Sequence, residues 1–96
     1  MSGDETPDSR IEPIGPMYVT DLLDHLKERN ATSFAVALAQ IETARRYGPE
    51  VAGAVKIEEG LYEVAVHIGY GLNAVFELER DRTGKLQPVL GKIVKR

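Results

Sequence analysis

The chain has 96 residues, 43% hydrophobic and 28% charged, with a formal net charge of −3 and no cysteine. That length holds one core of ordinary globular composition, and the missing cysteines exclude disulfides, thiolate metal sites and thiol redox chemistry. No apolar run approaches the roughly 20 residues of a membrane span, and the N-terminus is acidic and polar rather than a signal sequence, so a cytoplasmic protein with no membrane contact is expected.

The charge is uneven along the chain. Residues 1–12 carry a net −3, residues 13–79 a net −5, and residues 80–96 a net +5 from Arg80, Arg82, Lys85, Lys92, Lys95 and Arg96 against Asp81. Overall acidity argues against a general nucleic-acid coat, while a basic C-terminal edge is compatible with a phosphate or an acidic partner. A solvated, charged last strand is the simpler reading of that edge.

Residues 1–12 read as a disordered acidic tail, leaving residues 13–96 as a single domain. Pro13, Gly15 and Pro16 interrupt the first apolar residues, so Met17–Val19 is at best an irregular edge strand. Thr20 has the chemistry of an N-cap, with Leu22, Leu23 and Leu26 on one apolar face behind it and Asn30 as a stop. A second helix is predicted from Thr32 or Ser33. Phe34, Ala37, Leu38, Ile41 and Ala44 recur at three- and four-residue spacing, and Gly48-Pro49 ends the helix. With about three residues between them, the two helices form a hairpin.

After Pro49 the period changes from 3.6 to 2, and an antiparallel meander begins near Lys56. Leu61–Ile68 places Tyr62, Val64, Val66 and Ile68 on one face and Leu61, Glu63, Ala65 and His67 on the other. Gly69-Tyr70-Gly71 and Asp81-Arg82-Thr83-Gly84 are turns, Leu72–Glu79 is a strand, and Lys85–Lys95 is the last strand, with breaks expected at Pro88 and Gly91. The fold class that follows is α+β: a helical hairpin packed on one face of a small antiparallel sheet of three to four strands, its other face open.

Few residues here carry chemistry. His25 reads as a solvated helical residue. His67, on the open face, is the best candidate for general acid–base work, although an exposed structural histidine is the commoner case. The two histidines do not form a metal-ligand set, there is no nucleophile motif, and Gly69-Tyr70-Gly71 is not a phosphate loop; no cofactor is expected.

The segments GPEVAGAVKIEEGLYEVAVHIG, GLNAVFELE and PVLGKIVKR, with Gly60-Leu61-Tyr62-Glu63-Val64 as the most specific part, resemble the RelE/ParE toxin superfamily, closest to its HigB-like branch. The resemblance covers about half the chain well and the helical pair in outline. It implies a RelE-like fold and the toxin half of a bacterial toxin–antitoxin pair. Such a toxin causes growth arrest by cleaving mRNA on the ribosome as an endoribonuclease (mRNA interferase) or, in the ParE branch, by poisoning gyrase. The implied partners are a cognate antitoxin protein, the ribosome and mRNA, with no small-molecule cofactor. By this resemblance Lys56, Lys92, Lys95 and Arg96 are RNA-binding candidates.

The departures from the pattern are as informative as the match. Ala65 and Ala74 stand where the family has arginines that grip the scissile phosphate and stabilise its charge. If both are vacated arginine sites, the chain is an inactive nuclease, and the two alanines must sit on neighbouring strands on one face. Simple alternation instead groups Ala74 with Leu72, Phe76 and Leu78. The alternative is a non-enzymatic protein-binding module on the same fold, binding an antitoxin or gyrase.

Overall fold

The computed structural model describes residues 12–95. The expected tail over residues 1–12 therefore lies, except for Glu12, outside the described residues, as does Arg96. In chain order the elements are β1 (Ile14–Met17), α1 (Val19–Arg29), α2 (Ala31–Tyr47), β2 (Val55–Glu58), β3 (Leu61–Gly69), β4 (Leu72–Arg80) and β5 (Leu86–Lys95). The strands form one antiparallel sheet of five in the order β1-β5-β4-β3-β2. The class is α+β as expected, but the sheet exceeds the three to four strands anticipated, because both short flanking segments pair. β1 joins β5 through Ile14 opposite Ile93 and Met17 opposite Gly91, earlier than Met17–Val19 and with a register irregularity between them. Its Pro16 is tolerated because β1 is an edge strand, where one row of N–H groups needs no ladder partner.

Strand β1 ends at Met17 and α1 starts at Val19, which corrects the expected Thr20 cap. The cap position is Tyr18, whose side chain makes no capping bond; its carbonyl accepts from the Leu22 N–H at 3.1 Å. Starting there turns Leu22 and Leu26 into the core and carries Thr20 into the first turn. The link to α2 is one residue rather than about three. Asn30 serves both helices: its N–H donates to the Leu26 carbonyl at 2.7 Å, and its side-chain oxygen accepts from the Ser33 N–H at 3.1 Å. A short polar side chain that satisfies orphan groups at both ends is what so tight a corner requires. Gly48 ends α2 at φ 103°, where a side chain is disfavoured.

Both helices lie on one sheet face. Leu22, Leu26, Ala37, Ile41 and Ala44 pack on Val64, Val66, Ile68, Phe76, Leu78 and Ile93. Strand β5 runs through Pro88 and Gly91 instead of breaking. Pro88 pairs with Leu78 beside a register shift, beyond the reach of β1, and Gly91 sits directly beneath Leu22. The β3–β4 hairpin closes through Tyr70-Gly71, between the paired residues Gly69 and Leu72, with φ 56° and 74°. Positive φ at both loop positions is the type I′ pattern, which matches strand twist and favours Asn-Gly. Tyr70 is 89% exposed, so no packing offsets its backbone strain. Tyr70→Asn is expected to raise stability by about 1 kcal/mol, seen as a higher urea midpoint at unchanged slope.

Candidate functional site

The face of the sheet away from the helices is the candidate surface. Strand register assembles it in rows. Glu63 lies opposite Glu77, and Glu77 opposite Leu90. Ala65 lies opposite Val75, and Val75 opposite Lys92; His67 lies opposite Asn73, and Asn73 opposite Val94. Val75 is 0% exposed despite facing away from the helices, because Ala65 and Lys92 flank it on the neighbouring strands. Lys92 Nζ stands 4.0 Å from a Glu77 carboxylate oxygen, which partly neutralises it. Sequence reasoning passed over Val75, Glu77 and Asn73; the signal was available in β4, where fixing Phe76 inward places residues 73, 75 and 77 outward.

The register separates the two alanines. Ala65 is exposed on the open face, whereas Ala74 is 0% exposed, opposite Val66 and inside the core cluster. Their side chains leave opposite faces of the sheet, so arginines at these positions could not grip one phosphate. The expectation that the two alanines share one face is thereby overturned: strand period 2, with unbroken one-to-one pairing of residues 73–77 of β4 against both neighbouring strands, directs Ala74 inward with Leu72, Phe76 and Leu78.

The candidate cations do not converge either. Lys56 is on the edge strand β2 in the row of Tyr62 and Leu78, and Lys95 is on β5 in the row of Leu72. Three strand spacings part them by about 14 Å, and six residues along β4 add about 20 Å in the perpendicular direction. Lys56 also donates to Glu59 at 3.0 Å; that hydrogen bond and the attraction between the charges raise the lysine's pKa and lower the glutamate's. Of the sequence candidates, the structure brings together Ala65, His67 and Lys92 on the open face. It leaves out Ala74, Lys56 and Lys95. Among the described residues, no group of three or more His, Asp or Glu side chains could hold a metal ion.

The basic C-terminal segment is also split. Arg80, Arg82 and Lys85 surround the β4–β5 turn, about 30 Å along β5 from Lys95. Asp81 organises that turn: its carboxylate accepts from the Thr83 hydroxyl at 2.6 Å, the Gln87 amide at 3.1 Å, and the backbone N–H groups of Thr83 and Lys85. The Thr83 and Gln87 side chains contribute most to lowering its pKa from 3.8 to about 2. A depressed carboxyl stabilises the fold above its ordinary pKa, and that contribution is lost as pH falls through about 2. Asp81→Ala is therefore expected to lower the thermal midpoint at pH 7, with the gap to the parent protein closing as the pH is titrated towards 2. Arg80 donates to the Gly84 carbonyl at 2.7 Å and lies 5.6 Å from the Tyr62 ring centre, so it too is engaged in the turn.

His25 is half-buried rather than solvated. Its Nε2 is out of contact with solvent and has no hydrogen-bond partner among the described residues. Burial and then the nearby Arg29 charge lower its pKa. On the helix side, a shallow groove of about 230 Å³ is lined by Ala39, Gln40, Thr43, Val51 and Ala52.

Fold and surface together define a small α+β protein with two helices on one face of a five-stranded antiparallel sheet and a mixed polar surface on the other. No family model matches the chain, and comparison with curated proteins and with solved structures likewise finds no match. Among the described residues, no helix is long and apolar enough to cross a membrane.

Proposed function

We propose that this chain is a non-enzymatic protein-binding module of the toxin–antitoxin type, acting in the cytoplasm and held by a small antitoxin-like partner. The observation that carries this reading is the position of Ala74 within the core, on the face opposite Ala65. A phosphate-cleaving site needs several positioned cations around one oxygen cluster, in a pocket that excludes water. The open face offers Lys92, already 4.0 Å from Glu77, with His67 one row away. Ribosome-dependent mRNA cleavage is thus the weaker reading, and its RelE-like ancestry rests on the Gly60–Val64 motif.

The test uses the purified chain and its Ala65→Arg variant, which restores the one family arginine that the open face can accept. Neither is expected to cleave mRNA on translating ribosomes, and the chain is expected to co-purify stoichiometrically with the product of an adjacent small reading frame. RNA cleavage by either protein would overturn the reading. Inhibition of gyrase supercoiling would identify gyrase as the bound target.

A further inference from the structure

The β3–β4 loop carries a residue that its own geometry does not favour. Among the described residues Tyr70 is the one non-glycine at positive φ, 56°, between Gly69 at 95° and Gly71 at 74°. Glycine and a few short polar side chains adopt that region readily, and a larger residue held there is strained. Strain of this kind clusters at ligand contacts and switch regions. Packing does not account for it here. Tyr70 is 89% exposed, more than Tyr18 at 76% or Tyr47 at 67%, and its side chain makes no hydrogen bond or ring contact among the described residues. The fold gains nothing from the ring, and an asparagine would close the same loop at lower cost.

The charge beside the tip is positive. From Val64 to Phe76 the sequence contains no Asp, Glu, Lys or Arg. On β5, exposed Lys95 lies opposite Leu72, the first residue after the loop. Glu77, the next acid along β4, is 4.0 Å from Lys92, and Glu12 precedes β1 on the other side of β5.

We propose, resting on the protein-binding reading above, that Tyr70 anchors the contact with the antitoxin-like partner: its ring enters an apolar pocket of that protein, and carboxylates at the pocket rim meet Lys95. A tyrosine ring has few rotatable bonds and a hydroxyl that can bond at the pocket floor, so it anchors an interface at small entropic cost. A two-residue loop between paired strands fixes the ring's position before contact, so little freedom is lost on binding. The backbone strain is a cost to the isolated chain that the contact offsets, a trade of stability for function.

Isothermal titration calorimetry of the whole chain against the purified product of the adjacent small reading frame tests this, beside urea titration of each variant. Tyr70→Asn is expected to weaken binding by about tenfold or more while raising the urea midpoint, so that lost affinity is not lost folding. Lys95→Glu is expected to weaken binding too, by less at high salt. Tyr47→Asn, at an exposed tyrosine at the end of α2, should leave it unchanged. Undiminished binding by Tyr70→Asn or by Lys95→Glu overturns this inference and leaves the protein-binding reading standing, whereas no binding by the parent chain overturns both. A lower urea midpoint for Tyr70→Asn would mean that the ring supports the fold, and overturns the inference as well. So does flotation of the parent chain with phosphatidylglycerol vesicles that Tyr70→Asn abolishes, which would make the tip a lipid contact.

Discussion

Ala74→Arg is expected to unfold the protein, whereas Ala65→Arg leaves it folded. Ala74 sits on the central strand β4 with no exposed surface, and Phe76, Leu78, Ile93 and the two helices share its core. An arginine there must either bury an unpaired guanidinium or push the helices off the sheet. Either outcome costs at least about 4 kcal/mol, comparable with the total stability of a domain this small. Ala65 opens to solvent, so a long side chain at that position extends over the open face at a cost within about 0.5 kcal/mol. Urea titration followed by circular dichroism separates the two. An Ala74→Arg variant with the parent midpoint would mean that residue 74 does not face the core, and would restore the paired-arginine reading of the open face.

Gly91→Ala is expected to destabilise the fold by about 1–3 kcal/mol, although a single methyl group is usually tolerated in a strand. A Cβ built on Gly91 would stand 2.6 Å from Leu22 Cδ2 and 3.2 Å from Leu22 Cβ. The first contact could be relieved by rotating the leucine, but Leu22 has no exposed surface and its Cβ is fixed by the helix. The strain therefore passes to the α1–β5 packing. A double-mutant cycle identifies the mechanism. Leu22→Ala alone leaves a cavity, expected to cost about 2–5 kcal/mol, and the methyl at position 91 fills part of it, so the double variant should be more stable than the sum of the two losses. Additive losses would mean that Gly91 is required for its backbone freedom rather than for the space above it.

Periodicity made much of the fold legible. Three- and four-residue spacing in α2 and two-residue spacing in β3 put Ala37, Ile41, Val64, Val66 and Ile68 on their correct faces, because one buried face per element leaves a regular apolar stripe. Gly48-Pro49 and the two glycine-containing hairpin turns marked boundaries for the same local reason: positive φ and a missing N–H are properties of the residues themselves. The flanking strands β1 and β2 were harder to read. Four residues of β1, with Gly15 and Pro16 among them, have little strand preference of their own and pair because β5 offers an unpaired edge. Asn30 showed its capping chemistry but not that it would cap two helices at once.

The candidate site divides along the same line. Motif reasoning fixed on residue types at Ala65, Ala74, Lys56 and Lys95, which are properties of the chain as a string. Whether they share a place depends on face, register and strand order. Face was within reach of alternation, which grouped Ala74 with the apolar side. Strand order was not, since the sequence of β2 through β5 carries no mark of the 14 Å or so that β3 and β4 interpose between Lys56 and Lys95. By itself, then, the sequence determined the α+β class, the helical stripes, the turns and the absence of thiol chemistry, all of which follow from neighbours close in the chain. The tertiary structure alone decided that the cations stand apart and that Val75 is buried on the open face. Each of these depends on which distant segments the sheet brings together.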